Sequence, residues 1–310
     1  MKNETSASII IDNGSGIVKG GLSGDEAPRS IFPNVVGKPK NAAIVVGADN
    51  KECYLGSEAL NKKGVLKLSY PIEHGIIQDW QDMEKVWHHC FYSELLVDTA
   101  EQPLLISETP NVPFECKRRM TEIFFETFNA PAAFFMFTNV LGLFAHGRTT
   151  GLVLDSGHDV TNVLPVFEGY SIQDGLETQK IGGKTLSTSL LNIYEDKIPQ
   201  LRGNLEITEY IKKKYGQVSY DYAAVAGQSE PELFQMPDGQ SFYIGDEITQ
   251  IPEAMFNTEE FPGLGLEKSI PQMLIDSVNK CDEFLRKELF ENVIVTGGYF
   301  LFFLKDIETP

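Results

Sequence analysis

Two short segments combine an aspartate with glycines in a pattern that can hold phosphate and a divalent metal ion. They are Asp12-Asn13-Gly14-Ser15-Gly16 and Asp155-Ser156-Gly157, and each follows a short apolar run. Glycines at a tight turn let several backbone N–H groups converge on one anion. A carboxylate beside such a turn can hold a hydrated Mg²⁺ that bridges phosphate oxygens. The two segments therefore predict a phosphate clamp, with Asp12 and Asp155 binding the metal through water.

Lys19 follows the first segment and can neutralise phosphate charge. Either segment alone could be an ordinary Asx or glycine turn. Both, however, lie between an apolar run and a second β-like run, at residues 17–19 in the first case and 160–166 in the second. A matched pair in two halves of one chain favours the phosphate interpretation. An internal duplication is the simplest explanation for the pair.

The surrounding pattern predicts two α/β domains that position the two segments. Residues 1–145 form the first predicted domain, with a small outer subdomain at about 33–70. Residues 146–310 form the second, with an outer subdomain at about 182–263. The two segments would face each other across a cleft, and a helix at 138–146 would cross between the domains.

Helical spacing and capping residues indicate the remaining elements. Asp79 can cap a helix over residues 80–96, in which Met83, Val86, Trp87 and Phe91 share one face. Further helices are predicted at 184–195, 205–215, 268–281 and 282–290, and strands at 104–106 and 132–137. A last strand ends at the glycine pair Gly297-Gly298.

Composition excludes several classes of protein. The net charge of -18 would repel nucleic-acid phosphates, so no nucleic-acid partner is expected. The four cysteines show no CxxC spacing, which argues against a zinc site or a disulfide framework. We expect no signal peptide and no membrane association, because no apolar run approaches the roughly 20 residues that span a bilayer.

Long stretches of the chain resemble actin and the actin-related proteins. The similarity runs from about residue 8 to about residue 172 and is patchy beyond residue 182. The stretches that carry it are residues 12–19, 24–29, 32–37, 70–76, 82–89, 147–151, 236–239 and 295–298. On these residues the chain is identified as a divergent member of the actin family with a shortened C-terminal region.

The resemblance implies an α/β actin-like ATPase fold, with two similar domains around a cleft that binds ATP or ADP with Mg²⁺. It also implies a nucleotide-binding set that draws on both halves of the chain. That set is Asp12, Gly14, Ser15, Gly16, Lys19, Asp155, Ser156, Gly157, Gly183, Lys212, Gly297 and Gly298. Asp12 and Asp155 of this set would bind the metal through water.

Two further features follow from the resemblance. Residues 39–52 would be the outer loop that in actin inserts into the next protomer of a filament, with Val45 and Val46 at its tip. His74 lies where actin carries a modified histidine, and a hydrogen-bonded loop residue is an equal alternative.

The residues that matter for hydrolysis depart from the family pattern. The family positions the attacking water with a Gln and a His, whose places are taken here by Thr138 and Asn162. Thr is shorter than Gln, and Asn cannot accept and return a proton as His can. His158 and Asp159 also depart from the second segment of actin, and a negative Asp159 would repel phosphate. No catalytic residue is therefore assigned, and we expect an inefficient ATPase at best.

The nucleoside side of the predicted site is altered as well. Lys213 takes the place of the family's ribose-binding Glu and could not accept a hydroxyl hydrogen bond. Tyr299-Phe300 replace small hydroxyl residues beside the adenine pocket. Family members continue beyond the glycine pair with elements that return to the first domain. The aromatic run at 299–304 would therefore either pack internally or lie against a partner.

Three functions remain open on these observations. The first is a structural subunit of a cytoskeletal or other multi-protein assembly in the cytoplasm. Its partners would be other protein subunits, with actin and actin-related proteins as candidates, and its hydrolysis would be weak or absent. The second is an active, ATP-hydrolysing filament protomer. A sugar kinase or chaperone ATPase is the third, and no substrate-binding motif of those enzymes supports it.

Overall fold

The computed structural model describes residues 7–40, 51–219, 221–228, 230–236, 239–259 and 265–298. Val45 and Val46, the middle of the turn at 236–239 and the aromatic run at 299–304 lie outside these ranges. The chain divides into two compact units, Met1–Gly147 and Arg148–Pro310. Among the described helices, none has the length and apolar character needed to cross a membrane.

The first unit is built on a five-stranded sheet with a small second sheet beside it. Its strands are β1 (Ile9–Asn13), β2 (Ile17–Leu22), β3 (Ser30–Pro33), β4 (Val36–Pro39), β5 (Tyr54–Leu55), β6 (Leu66–Ser69), β7 (Ile72–Glu73), β8 (Ile76–Ile77), β9 (Leu104–Glu108) and β10 (Ala133–Phe137). The large sheet has the order β10-β9-β1-β2-β3. β1 is antiparallel to β2 and parallel to β9, and β9 is parallel to β10. The carboxyl ends of β1, β9 and β10 therefore meet at one edge of the sheet.

Helices cover the large sheet of the first unit. They are α1 (Gly56–Asn61), α2 (Trp80–His88), α3 (Phe114–Glu122) and α4 (Thr138–Ala145). α2 and α3 each continue into a π-helical turn, His89–Leu95 and Ile123–Thr127. The predicted cap is confirmed, because the Asp79 carboxylate accepts a hydrogen bond from the Asp82 N–H at 3.0 Å. The four predicted apolar residues of this helix are fully buried in the core.

A small separate core lies under the second sheet of this unit. β4 pairs with β5 and β6, and α1 packs against them. Val35, Tyr54, Ala59 and Leu66 form its buried cluster. This sheet was not predicted from the sequence, because its strands are only two to four residues long and short runs carry little periodicity.

The second unit repeats the central arrangement of the first. Its strands are β11 (Gly151–Ser156), β12 (Thr161–Phe167), β13 (Tyr170–Ser171), β14 (Glu177–Gln179), β15 (Glu232–Gln235), β16 (Ser241–Ile244) and β17 (Val293–Thr296). β11 is antiparallel to β12 and parallel to β17, as β1 is to β2 and β9. The ends of β11 and β17 therefore meet at one edge.

The described part of the second unit contains six α-helices. They are α5 (Gly183–Lys197), α6 (Leu205–Tyr215), α7 (Tyr222–Val225), α8 (Glu247–Glu253), α9 (Ile270–Asn279) and α10 (Glu283–Glu291). The four helices predicted in this half are confirmed as α5, α6, α9 and α10, the second with the predicted bounds. α8 was missed because Pro252, which usually breaks a helix, lies inside it. Leu154, Leu186, Tyr194 and Ile211 are among the buried residues that join α5 and α6 to the sheet.

Candidate functional site

The first loop, residues 12–16, is the tip of the β1–β2 hairpin. Asp12 pairs with Lys19 and Asn13 with Val18 in the register of the two strands. Antiparallel partners place their side chains on the same face of a sheet. The Asp12 carboxylate and the Lys19 ammonium group therefore lie side by side on one face of the hairpin.

The Asp12 carboxylate is held by two partners. Lys19 Nζ lies 3.0 Å from Oδ2, and the Ser107 hydroxyl donates to Oδ1 at 2.6 Å. The side chains of Asp12 and Lys19 are 37% and 47% exposed. This pair is open to solvent, and both groups can reach a bound ion or phosphate.

Glycine at position 14 is required by the backbone itself. A Cβ added there would lie 2.3 Å from the Ile17 carbonyl oxygen, which is closer than real contacts allow. Among the described residues, none accepts a hydrogen bond from the N–H groups of Gly14, Ser15 or Gly16. These three amides are available to an anion, as the sequence predicts for a nest.

Asn34 and Asn13 hold the backbone of the first loop through hydrogen bonds. The fully buried Asn34 donates from Nδ2 to the Gly14 carbonyl at 2.9 Å, and its N–H donates to the Gly16 carbonyl at 3.0 Å. The Asn13 N–H donates to the Ser107 hydroxyl at 3.1 Å. These three contacts hold the loop through its backbone.

The second loop, residues 155–159, is the tip of the β11–β12 hairpin. Asp155 lies opposite Asn162 in the register, and its Oδ1 accepts a hydrogen bond from the Thr296 hydroxyl at 3.1 Å. Thr296 ends β17, the strand parallel to β11. A hydroxyl from a parallel strand thus fixes this carboxylate, as Ser107 from β9 fixes Asp12 in the first unit.

Two further groups of the second loop are bonded within the hairpin. Ser156 is fully buried, and its hydroxyl lies 2.8 Å from that of Thr161. The Gly157 N–H donates to the Val160 carbonyl at 2.9 Å. Ser156 could therefore reach a phosphate only through its backbone, and the Gly157 amide is already used.

The beginning of α5 packs directly onto the second loop. The Gly183 N–H donates to the Gly157 carbonyl at 3.0 Å, and the Lys184 N–H donates to the His158 carbonyl at 2.8 Å. A Cβ added to Gly182 would lie 2.6 Å from the His158 carbonyl. The first two N–H groups of α5 therefore hold the second loop against the helix.

Gly297 approaches the second loop from β17. Its φ is +95°, and a Cβ added there would lie 2.1 Å from the Ser156 carbonyl oxygen. A Cβ added to Gly298, in contrast, would meet no atom of the described residues within 4 Å. The structure thus brings Gly157, Gly183 and Gly297 together around the end of β11 and leaves Gly298 at the rim.

Lys212 connects α6 to this cluster. Its Nζ donates to the Gly183 carbonyl at 2.5 Å, and the residue is only 6% exposed. Burial lowers the pKa of Lys212 to about 8, while nearby Glu209 opposes this change and Lys213 adds to it. The lysine is a buried anchor between two helices and lies beside the predicted nucleotide-binding glycines.

His158 and Asp159 are both turned into the second unit. Burial lowers the pKa of His158, and the Asp159 carboxylate opposes that change. Asp159 is 5% exposed and lies 3.9 Å from Lys184 Nζ. The carboxylate that the sequence places near the phosphates therefore has a cationic neighbour, which reduces its repulsion of an anion.

Asn162, at the position of the family's water-positioning His, is bound to a neighbouring strand. Its Oδ1 accepts a hydrogen bond from the Thr178 hydroxyl at 2.8 Å, and Thr178 lies directly opposite in β14. Asn162 is 1% exposed. Thr138 is the first residue of α4 and follows β10, so it lies at the same sheet edge as the first loop.

Several residues that shape these loops were not predicted from the sequence. Ser107 lies near the end of β9 and Thr296 ends β17, each far along the chain from its aspartate, and Asn34 lies just beyond β3. Only the parallel pairing of β1 with β9, and of β11 with β17, brings the first two into contact. A hydroxyl residue directly after a buried apolar run is the weak signal that could have found Ser107.

The residues of the first unit fit a Mg-nucleotide better than those of the second. In the first, an exposed carboxylate, an exposed lysine and a glycine whose Cβ would meet the backbone make a cradle for phosphate and a hydrated cation. In the second, Asp155 lies beside closely packed glycines, but the neighbouring hydroxyl and amide are already bonded.

The family comparison agrees with this geometry. The model of the family described as Actin matches residues 3–303 of the 310-residue chain. The match covers both loops and both units, whose sheets and helices form an α/β fold. The chain therefore belongs to the actin family and has an actin-like fold.

Proposed function

We propose that this chain is a structural subunit of a multi-protein assembly, cytoskeletal or otherwise, which binds ATP or ADP with Mg²⁺ and hydrolyses ATP weakly or not at all. The observation that carries this proposal is the state of Asn162. Its amide oxygen is already bonded to Thr178, and the residue is buried. An amide does not accept and return a proton as an imidazole does, and the oxygen of this amide already has a partner.

Nucleotide binding is supported mainly by the first loop. The N–H groups of Gly14, Ser15 and Gly16 can bind phosphate oxygens, with Lys19 as the counter-charge. Asp12 would hold a hydrated Mg²⁺ through its waters, and Asp155 offers the corresponding carboxylate of the second unit. Mg²⁺ would supply charge neutralisation between phosphate oxygens, and these residues of the chain would orient it.

A role in an assembly is supported by exposed aromatic side chains of the second unit. Tyr170 and Phe284 are 80% and 75% exposed. Both line a groove of about 350 Å³ together with Phe167 and Leu285. Exposed aromatic clusters of this kind are typical of protein interfaces. We infer that other protein subunits, with actin or actin-related proteins as candidates, cover such surfaces in the cytoplasm or on the cytoskeleton.

The test is phosphate release from the purified full chain in Mg-ATP, combined with extraction and identification of the bound nucleotide. We expect a stoichiometric nucleotide and phosphate release far below that of a filament-forming actin. Release at a comparable rate would overturn the structural-subunit proposal. It would favour the second candidate, an active filament protomer, for which the open first loop is the supporting observation.

Matched variants separate lost chemistry from lost binding. Asn162→His combined with Thr138→Gln restores the side chains of the family pattern, and we expect it to raise phosphate release. Asp12→Ala removes the carboxylate of the first loop, and we expect it to abolish metal-dependent nucleotide retention. If the double variant stays inactive while nucleotide remains bound, the defect lies elsewhere, and Asn162 does not carry the proposal.

A further inference from the structure

A small cavity of about 20 Å³ lies beneath the first loop, inside the first unit. Its polar lining comes from Asn13, Ser107, Glu108 and Thr109, and its apolar lining includes Met120. A cavity must offer about 10–15 Å³ to hold a water. The space therefore accommodates one water and little more.

The orientation of the Asn13 amide is fixed by Trp87. The indole Nε1–H of Trp87 donates to Asn13 Oδ1 at 3.0 Å, and an indole N–H can only donate. The Asn13 Nδ2 must therefore lie on the other side of the amide. It is buried, and no atom of the described residues accepts its hydrogens.

Glu108 supplies the complementary group. Its Oε1 accepts a hydrogen bond from Lys117 Nζ at 2.7 Å, while its Oε2 is buried and accepts none from the described residues. Glu108 is 7% exposed. Ile11 lies opposite Ile106 in the parallel register, so Asn13 and Glu108, two residues further on, share one face of adjacent strands.

A buried donor and a buried acceptor that lack partners both cost free energy, and one molecule can satisfy both. Water accepts from Asn13 Nδ2 and donates to Glu108 Oε2. Thr109 offers a hydroxyl in the same lining, which brings the polar partners to three, the usual number for a buried water. A metal ion fits poorly, because the N–H groups of Asn13 point at the site.

We propose that one ordered water bridges Asn13 Nδ2 and Glu108 Oε2, and that Glu108 thereby positions the first loop. The Asn13 N–H donates to Ser107, and Ser107 donates to Asp12. Through these hydrogen bonds the water connects the Glu108–Lys117 ion pair to the Asp12 carboxylate. Glu108 is a positioning residue, because it acts through Asn13 and not on a ligand. The proposal is independent of nucleotide binding, and its tests use no nucleotide.

A high-resolution crystal structure of the full chain is the direct test. We expect one density peak at hydrogen-bonding distance, about 2.7–3.2 Å, from both Asn13 Nδ2 and Glu108 Oε2. A cavity without density between two ordered side chains would overturn the proposal. So would a peak with metal coordination distances, or an Asn13 amide turned away from Trp87.

Hydrogen exchange tests the positioning role. The readout is the exchange rate of the Asn13 N–H relative to that of Ile9, which donates to the Pro103 carbonyl at the other end of β1. In Glu108→Gln the new NH₂ must face either the water or Lys117. Either arrangement loses a contact, so we expect the relative rate to rise on the order of tenfold.

The matched control is Lys117→Met, alone and combined with Glu108→Gln. The single Lys117→Met variant keeps the Oε2–water contact, so the relative rate should stay near that of the parent chain. In the double variant the Gln can turn its oxygen to the water and its NH₂ outward, and we expect the relative rate to return to the parent value. A double variant whose relative exchange rate equals or exceeds that of Glu108→Gln would overturn the proposal.

Discussion

The two Asp-Gly loops have the same backbone plan but differ in what their polar groups contact. In the first, the Asp12–Lys19 pair is exposed, and the tip amides donate to no described residue. In the second, the Ser156 hydroxyl and the Gly157 N–H are bonded within the hairpin. The difference teaches that two loops with one backbone plan can differ in how many of their polar groups remain available to a ligand.

The glycines reveal how tightly each loop is packed. At the second loop, Gly182 and Gly297 approach the backbone of residues 156–158, so the loop is closed by neighbouring elements. At the first loop, the close approach of Gly14 is to Ile17 of its own hairpin. The tight glycine contact of the first loop is therefore local, whereas those of the second loop come from neighbouring elements.

The largest expected effect comes from breaking the closure of the second loop with Gly297→Ala. The new Cβ would lie 2.1 Å from the Ser156 carbonyl oxygen, at a φ of +95° that L-residues rarely adopt. We expect a loss of about 3–5 kcal/mol in the free energy of unfolding. Denaturant unfolding, followed by hydrogen exchange of the β11 amides, measures it. Gly298→Ala is the control and should cost less than about 1 kcal/mol, because no atom of the described residues lies within 4 Å of its added Cβ. Equal losses in the two variants would contradict the closed-loop description.

A second prediction compares the two loop tips directly. Gly14→Ala places a Cβ 2.3 Å from the Ile17 carbonyl oxygen, whereas in Gly157→Ala the nearest atom is the Val160 oxygen at 3.7 Å. We expect Gly14→Ala to destabilise the first unit by about 3 kcal/mol and Gly157→Ala to cost less than about 1 kcal/mol. Thermal unfolding of the two variants checks this ranking. A reversed ranking would show that the first loop relaxes without strain.

Much of the scaffold could be predicted from the sequence, because its signals are local. Asp79 followed by spaced apolar residues gave the start of α2, and the spacing in 205–215 gave α6 with its bounds. Both hairpins could be placed from an apolar run, an aspartate and glycines. Each of these patterns lies within one element and needs no knowledge of distant contacts.

The groups that set the chemistry of the loops could not be predicted in the same way. Ser107 binds Asp12 from 95 residues away, and Thr296 binds Asp155 from 141 residues away. The burial of Asp159 and Asn162 depends on how α5 and β14 pack against the hairpin. Sequence patterns predicted where phosphate chemistry could occur, but tertiary packing determined which groups remain available for it.

The buried cation of the second unit leads to a pH prediction. Burial lowers the pKa of Lys212 to about 8 from 10.5, so between these values the unfolded chain binds more protons than the folded chain. Stability therefore rises as the pH rises through this window, on the order of 3 kcal/mol in total. Denaturant midpoints at several pH values measure the rise. Lys212→Met should remove most of it, and an identical pH profile in that variant would show that another group is responsible.

The smallest expected effect on stability comes from the exposed cation of the first loop. Lys19→Met removes an ion pair whose two side chains are 47% and 37% exposed, and such pairs contribute about 0–1 kcal/mol. The denaturant midpoint should therefore barely move. Calorimetric titration with Mg-ADP should nevertheless show affinity reduced by roughly tenfold, because a phosphate counter-charge is lost. A variant with reduced stability and unchanged affinity would reverse the comparison, since Lys19 would then support the hairpin and not a ligand.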